Sequence, residues 1–206
     1  MRKISLMAAT ALSIVFLFLM LFSESSQAQQ AETLFNDDII HGGFGGPVVK
    51  IGGVAGSTGV WVGGRGGWII NLDRNHAISL GGAGYGLVTD HRTPIDNDLF
   101  ALNGYGGFEI EYINQSPRLV HFTASALLGA GGLMLRDQNF EDVQDDVDSY
   151  FVFEPALHAE LNVTHFFRVS AGASYRMTSG INRFGFSDGD FSGLNGVITL
   201  KFGKFL

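Results

Sequence analysis

The 206-residue chain is 46% apolar and 16% charged, with 29 Gly, 4 Pro, no Cys, and 13 Lys+Arg against 20 Asp+Glu for a formal net charge of −7. An acidic excess is the wrong sign for tracking a phosphate backbone, and the lack of cysteine excludes disulfides, thiol catalysis, thiolate-held clusters and a lipid anchor on Cys. The glycines keep no three-residue period, and 18 Phe, 2 Trp and 5 Tyr are too much apolar surface for a disordered chain, so collagen and disorder are both out.

In chain order, Arg2 and Lys3 precede an apolar run from Leu6 to Phe22. Polar Ser23–Gln27 follows, with Ser26 and Ala28 at the −3 and −1 positions of a cleavage site. A single membrane anchor is the competing reading, because the run reaches the lower limit of a spanning helix. The small-residue site favours a cleaved export signal over 1–28. A short segment, 29–43, follows, in which Glu32–Ile40 makes a turn or short helix. The rest, 44–206, reads as one domain without a linker.

From Phe44 the chain falls into apolar-alternating runs separated by polar punctuation. The predicted strands are 44–54, 60–71, 77–89, 98–113, 118–134, 149–163, 166–178 and 192–205. No run carries a capped stripe with a 3.6-residue period, so no helix is expected. The sixth strand puts Phe151, Phe153, Pro155, Leu157, Ala159 and Leu161 on one face and Glu154, His158 and Glu160 on the other. The seventh sets Phe167, Val169 and Tyr175 against Arg168, Ser170, Ser174 and Arg176. The fourth sets Phe100, Phe108, Ile110 and Tyr112 against Tyr105, Glu109 and Glu111, and the last sets Ile198, Leu200 and Phe202 against Thr199 and Lys201.

A soluble sandwich or a lipocalin-like barrel with a greasy interior produces the same alternation. Four features favour the inverse arrangement, apolar side chains toward lipid and polar ones toward a lumen. The strands are long, where soluble strands run about 5–6 residues and a tilted membrane strand needs about 9–11. An export signal is present, with no spanning helix after it. Aromatic residues gather near strand ends: Trp68, Phe100, Phe108, Tyr112, Phe122, Phe151, Phe153, Phe166, Phe167, Tyr175, Phe202 and Phe205. The connections also alternate: Asn71–His76, Asn114–Pro117 and Val163–His165 are tight, while Thr89–Asp98, Arg136–Asp148 and Ser179–Phe191 are longer and more polar. Ala55–Gly59 is short where that pattern asks for a long loop. An even strand number puts both termini on one side, so the short turns are expected in the periplasm and the long loops outside.

On these residues the chain resembles the small eight-stranded outer-membrane β-barrel proteins of Gram-negative bacteria, over roughly 43–206. The resemblance implies an eight-stranded antiparallel up-and-down barrel that meets outer-membrane lipid and lipopolysaccharide, is inserted by the barrel-assembly machinery, and is a monomer. Family members commonly end in alternating apolar residues and a terminal aromatic. Here Ile198, Leu200, Phe202 and Leu206 share a parity and the aromatic Phe205 is penultimate, an approximate match.

Eight strands enclose a space that side chains can just fill. The expected lumen network is Lys50, Arg65, Arg168, Arg176 and Lys201 with Glu109, Glu111, Glu154 and Glu160, joined by His121 and His158. Buried charges demand partners, so this network predicts a plug rather than a conducting pore. Lipid-facing positions are expected at Phe100, Phe108, Tyr112, Phe122, Phe151, Phe153, Leu157, Phe167, Tyr175 and Phe202.

Some barrels of this size modify lipid, and a serine hydrolase needs a nucleophile, a His base and an orienting carboxylate. Ser170 and Ser174 share parity with His158, Glu154 and Glu160, and Ser125 lies near His121. All face inward, whereas lipid-modifying barrels react on the lipid-facing surface, so no catalytic residues are assigned. Gly82-Ala83-Gly84-Tyr85-Gly86 and Gly104-Tyr105-Gly106-Gly107 loosely match phosphate loops but lie inside strands. There they relieve crowding, and outward Gly82, Gly84, Gly104 and Gly106 form a smooth strip. The loop carrying Asp137, Glu141, Asp142, Asp145, Asp146 and Asp148 lacks calcium-loop spacing, as does Ser187-Asp188-Gly189-Asp190, so both are read as solvated and no metal is expected. Asn162-Val163-Thr164 is a glycosylation sequon in a predicted periplasmic turn and is discounted. The sequence thus points to a non-enzymatic envelope protein with a structural or surface-interaction role and no cofactor. A narrow solute channel, a lipid hydrolase and a soluble binder of apolar ligands are the alternatives.

Overall fold

A computed structural model describes residues 41–137 and 146–205. The export signal, the Glu32–Ile40 turn, Leu206, and Glu141, Asp142 and Asp145 of the acidic loop lie outside the described residues.

Eight long strands make one antiparallel meander: β1 (His41–Val54), β2 (Ser57–Asn71), β3 (His76–Leu87), β4 (Asp96–Asn114), β5 (Val120–Arg136), β6 (Asp148–Asn162), β7 (Phe167–Ser179) and β8 (Gly193–Lys204). Each pairs with its chain neighbours, and β1 pairs with β8, so the sheet closes into a barrel without a free edge. A two-residue strand, Arg92–Thr93, folds back on the start of β4. One four-residue helix, α1 (Asp188–Phe191), sits in the connection before β8, where the sequence showed no helical period.

Local chemistry sets the boundaries. β2 starts three residues before its predicted position because Ala55 and Gly56, at φ 48° and 76°, make a two-residue hairpin turn with both centres left-handed. In the β2–β3 turn, Asp73 Oδ1 accepts the N–H groups of Asn75 (2.6 Å) and His76 (2.8 Å). The β6–β7 turn is tied to the β4–β5 turn by Asn162, whose Nδ2 donates to the carbonyls of Ser116 (2.9 Å) and Arg118 (2.7 Å); the sequon residue is thus a structural clamp.

The alternation sorts side chains as expected on most strands. Ile51, Val62, Phe108, Ile110, Tyr112, Phe122, Phe151, Phe153, Leu157, Tyr175, Ile198 and Phe202 are exposed, and their polar neighbours are buried. Phe167 is half-buried, stacked on Phe202 at 4.8 Å.

The glycines of this ring differ in what a side chain would meet. A Cβ on inward Gly46 would overlap the Leu200 carbonyl, at the stretch where Pro47 lacks an N–H and the β1–β8 ladder lapses. Outward Gly84 has only ordinary contact around a built Cβ. Gly46→Ala is therefore expected to cost about 1–3 kcal/mol through overpacking at the closing seam, and Gly84→Ala within about 0.5 kcal/mol. Urea titration of a folded, heat-modifiable gel band checks both, and equal sensitivity would contradict the assignment.

Candidate functional site: the barrel interior and its two mouths

The interior is built in three layers along the axis. The middle layer is ionic. Glu111 accepts from Lys201 Nζ at 2.8 and 3.0 Å and lies 3.2 Å from Arg65, which also meets Glu109 at 2.6 Å. Glu160 bridges Lys201 (2.5 Å) and Arg168 (3.0 Å), with His121 Nε2 at 3.3 Å. Nearer the long loops, Glu154 takes Lys50 Nζ at 2.8 Å and the Tyr105 hydroxyl at 2.7 Å, and Ser174 also donates to it. The Lys50 ammonium sits 3.5 Å above the Tyr85 ring.

Arg176 is the exception among the interior cations. Among the described residues it faces no carboxylate; its Nε donates to the Phe191 carbonyl (2.5 Å) and its guanidinium lies 4.2 Å over the Trp61 ring. All eleven predicted lumen residues are buried together in this interior. A buried cation can rest on an aromatic face and a carbonyl when no carboxylate is in reach.

The layer toward the long loops is apolar, and alternation alone missed it. Trp61, Tyr85, Tyr105, Leu127, Leu133, Tyr150 and Val152 point inward. The last long connection folds into the mouth and adds Ile181, Phe186 and Phe191 to the same cluster. Aspartates in and beside this connection accept backbone N–H groups. Asp188 Oδ1 accepts the Ile181 N–H at 2.8 Å, Asp190 Oδ2 accepts the Ser187 N–H at 2.8 Å, and Asp148 Oδ2 accepts those of Asn182 and Arg183 at 2.9 Å. Asp148, expected in a solvated loop, is therefore a buried anchor for the mouth. Asp146, in contrast, is exposed and pairs with Arg183 at 2.5 Å.

The third layer closes the short-turn end with Phe44, Ile69, Ala77, Ile113 and Phe205. Phe205, one of the aromatics near the strand ends, is 3% exposed, stacked on Phe44 at 6.5 Å with Arg168 3.9 Å over its ring. The strand ends at Lys204, and Phe205 beyond it keeps the inward parity of Lys201 and Gly203. Phe100 departs from expectation. It has outward parity but is 8% exposed, because Arg92–Thr93 pairs over it and Arg92 and Arg136 lie 5.6 and 5.4 Å from its ring.

Little space remains among the ion pairs, although a larger recess of about 500 Å³ opens at the short-turn end beside Pro117, Leu119, Val163, His165 and Phe205. A cavity of about 10 Å³, room for roughly one water, lies between Lys50, Arg65, Glu109, Glu154 and His158. Ser125 and Ser174 line it too, yet among the described residues no hydrogen bond joins a serine to His121 or His158, and Ser174 donates to Glu154. The lipocalin-like alternative is overturned: Leu157 is 70% exposed, while Glu154, His158 and Glu160 are buried. The glycine runs lie within β3 and β4, with no helix following.

At the outer rim, His91 Nδ1 lies 3.0 Å from Ser57 Oγ and Nε2 2.9 Å from Thr89 Oγ1, which accepts the Val60 N–H at 3.1 Å. A neutral ring matches this arrangement, with one nitrogen donating and the other accepting.

Two predictions follow from these contacts. Glu111→Ala takes one of two carboxylates away from both Lys201 and Arg65, leaving Glu160 and Glu109, and is expected to cost about 3 kcal/mol, against a much smaller loss for exposed Leu157→Ala; urea titration of the folded gel band reads the difference. Burial lowers the His91 pKa below its ordinary value. Its contribution to stability is then present above about pH 6.5 and is lost as the pH falls through the depressed value. Hydrogen exchange over 88–92, corrected for intrinsic rate, should accelerate on acidification, and His91→Asn should abolish that response.

No family model and no curated protein matches the sequence. Among solved structures, the chain is similar to Ail, the attachment invasion locus protein of Yersinia pestis, crystallised with the heparin analogue sucrose octasulfate: 11% identity, 79% of this chain and 95% of that one, TM-score 0.48. It is similar to Neisserial surface protein A at 8% identity, over 81% and 97%, TM-score 0.47. The N-terminal β-barrel domain of Pseudomonas aeruginosa OprF gives 11%, 79% and 96%, TM-score 0.43. The closed eight-stranded antiparallel barrel is read directly from this chain's own strand pairing.

Proposed function

We propose that this chain is a non-enzymatic outer-membrane barrel whose long loops form an outward surface, with a structural or surface-interaction role in the envelope. The observation that carries the reading is the inverted distribution of polarity: charge is buried inside a closed sheet and large apolar side chains stand outside it. In water such an exterior is unfavourable at about 25 cal/mol per Å² of apolar surface; in hydrocarbon it is the required surface, provided every backbone group is paired within a closed sheet. Aromatic side chains bracket the apolar band. On β7, Tyr175 and Phe167 lie eight residues apart, roughly 26 Å along the strand at about 3.3 Å per residue. At a tilt of about 35–45° this projects to roughly 20 Å, within an apolar band about 25 Å tall.

In this reading residues 1–28 are a cleaved export signal, the short turns lie in the periplasm and the loops outside, and the barrel-assembly machinery inserts the chain as a monomer. The interior supports neither a pore nor a hydrolase. Ionic and apolar layers fill it at three levels, and its serines are engaged with carboxylates or stand apart from its histidines.

Membrane fractionation and gels of boiled and unboiled samples test the reading together. Outer-membrane recovery with a mobility shift on boiling is expected; a soluble periplasmic protein without a shift would refute it. In planar bilayers the protein should give no discrete conductance. Deleting 182–190 alone should leave it closed, because the Glu111 and Glu160 ion pairs lie beneath that plug.

A further inference from the structure

Among the described residues, the two rims of the barrel carry opposite charge. The long-loop rim has Asp90, Asp96, Asp98 and Asp146 against Arg92, Arg136 and Arg183, and two of those arginines are already paired, Arg136 with Asp90 and Arg183 with Asp146 at 2.5 Å each. At the short-turn rim the sign reverses. Each turn and the terminal strand end there brings one basic residue to the surface: Arg74, Arg118, His165 and Lys204, all exposed. Among the described residues none of the three fixed cations has an ion pair. The nearby carboxylate, Asp73, is occupied by two backbone N–H groups of its own turn.

The same turns also expose apolar side chains. Leu72 precedes Arg74, Leu119 follows Arg118, Val163 and Phe166 flank His165, and Phe202 precedes Lys204; Leu119 is 67% and Phe166 62% exposed. Just inside them lies an aromatic belt of Trp68, Tyr112, Phe122 and Phe202. Aromatic belts mark the boundary between hydrocarbon and headgroups. A cation a few residues beyond the belt, beside an aliphatic chain, sits at phosphate depth with its stem in the apolar layer. A water-soluble partner would have no use for that radial order of ring, aliphatic chain and charge.

We propose that the short-turn rim is a binding surface for the phosphate groups of anionic phospholipids in the leaflet it faces, with Arg74, Arg118 and Lys204 as the binding cations. The inference rests on the membrane-barrel reading and adds a ligand class and a side to it. The acidic opposite rim gives the barrel an electrostatic polarity along its axis, so a negatively charged leaflet favours one orientation of the inserted protein. Each cation near an anionic surface is worth about fivefold in association at low salt, and screening weakens this as the Debye length falls from about 10 Å at 0.1 M.

Of the two tryptophans in the chain, Trp61 is buried in the interior and Trp68 stands in the belt at this rim, which supplies a local reporter. The full mature protein is reconstituted in phosphatidylcholine vesicles containing brominated phosphatidylglycerol or, in parallel, brominated phosphatidylcholine, and tryptophan quenching is followed against mole fraction. The expected result is a relative association of about fivefold or more for the anionic lipid at low salt. It should fall toward one in 0.5 M salt and in Arg74→Gln/Arg118→Gln/Lys204→Gln. Equal quenching by the two lipids in the unmodified protein overturns the proposal, as does a preference that the triple variant retains. Equal quenching combined with salt-sensitive binding of a soluble polyanion assigns the rim to a periplasmic partner and overturns it as well. Should the triple variant lose its heat-modifiable band, the salt series on the unmodified protein decides. Failure of the barrel reading itself looks different, since a protein that does not insert is quenched by neither lipid.

Discussion

Closure of the sheet is the constraint on which everything else in this molecule depends. Once β1 pairs with β8, eight strands fix the width of the interior, and no side chain pointing inward can reach bulk water through a sheet edge. An inward lysine or glutamate must then find its counter-charge inside the barrel. That is why single carboxylates serve two cations: Glu111 takes Arg65 and Lys201, and Glu160 takes Lys201 and Arg168, with the His121 ring beside it. Sharing satisfies more of the lone pairs of each carboxylate, which offsets the desolvation that an isolated buried pair would suffer.

The same narrowness explains the glycines and the plugs. An inward Cβ at Gly46 has no room because the neighbouring backbone carbonyl already occupies its position. Ionic side chains fill the middle of the barrel, but they cannot fill its ends, where the charges would meet water only in part. Aromatic and aliphatic groups close both: Phe205 and Phe44 at one end, and Trp61, Tyr150 and the inserted Phe191 at the other. The fifth cation, Arg176, stands where ionic and aromatic layers meet, held by a ring face and a carbonyl rather than a carboxylate.

Function on such a scaffold belongs to its surfaces, because the interior has no room for a ligand. The exterior divides into an apolar wall, a loop rim that is acidic and partly neutralised by its own arginines, and a turn rim whose cations stand next to aromatic and aliphatic side chains. The outer rim is held by short-range hydrogen bonds among His91, Ser57 and Thr89 and by aspartates that bind backbone amides. A loop surface so anchored presents a defined shape outward.

The sequence by itself determined the strand count, strand positions to within a few residues and the sense of the polarity inversion; the eleven charged and histidine side chains on the inward parity are buried, among a larger set of buried polar residues. Period-two alternation is a local property, and a closed sheet converts it directly into inside and outside. The sequence left open which residues are covered by something distant. Phe205 continues the inward parity of Lys201 one residue past the end of the strand, but its contact with Phe44 joins the two ends of the barrel sequence. Phe100 keeps its outward parity and is hidden by a two-residue strand that no pattern announces. Asp148 and Asp188 read as solvated acid until a loop folds into the mouth and lends them its amides. Trp61, Tyr85, Tyr105 and Tyr150 were readable as apolar residues on the polar parity, but their meeting in one layer depends on the stagger of eight strands around a closed ring. Such contacts join residues far apart in the chain, and only the register of the closed barrel decides which of them come together.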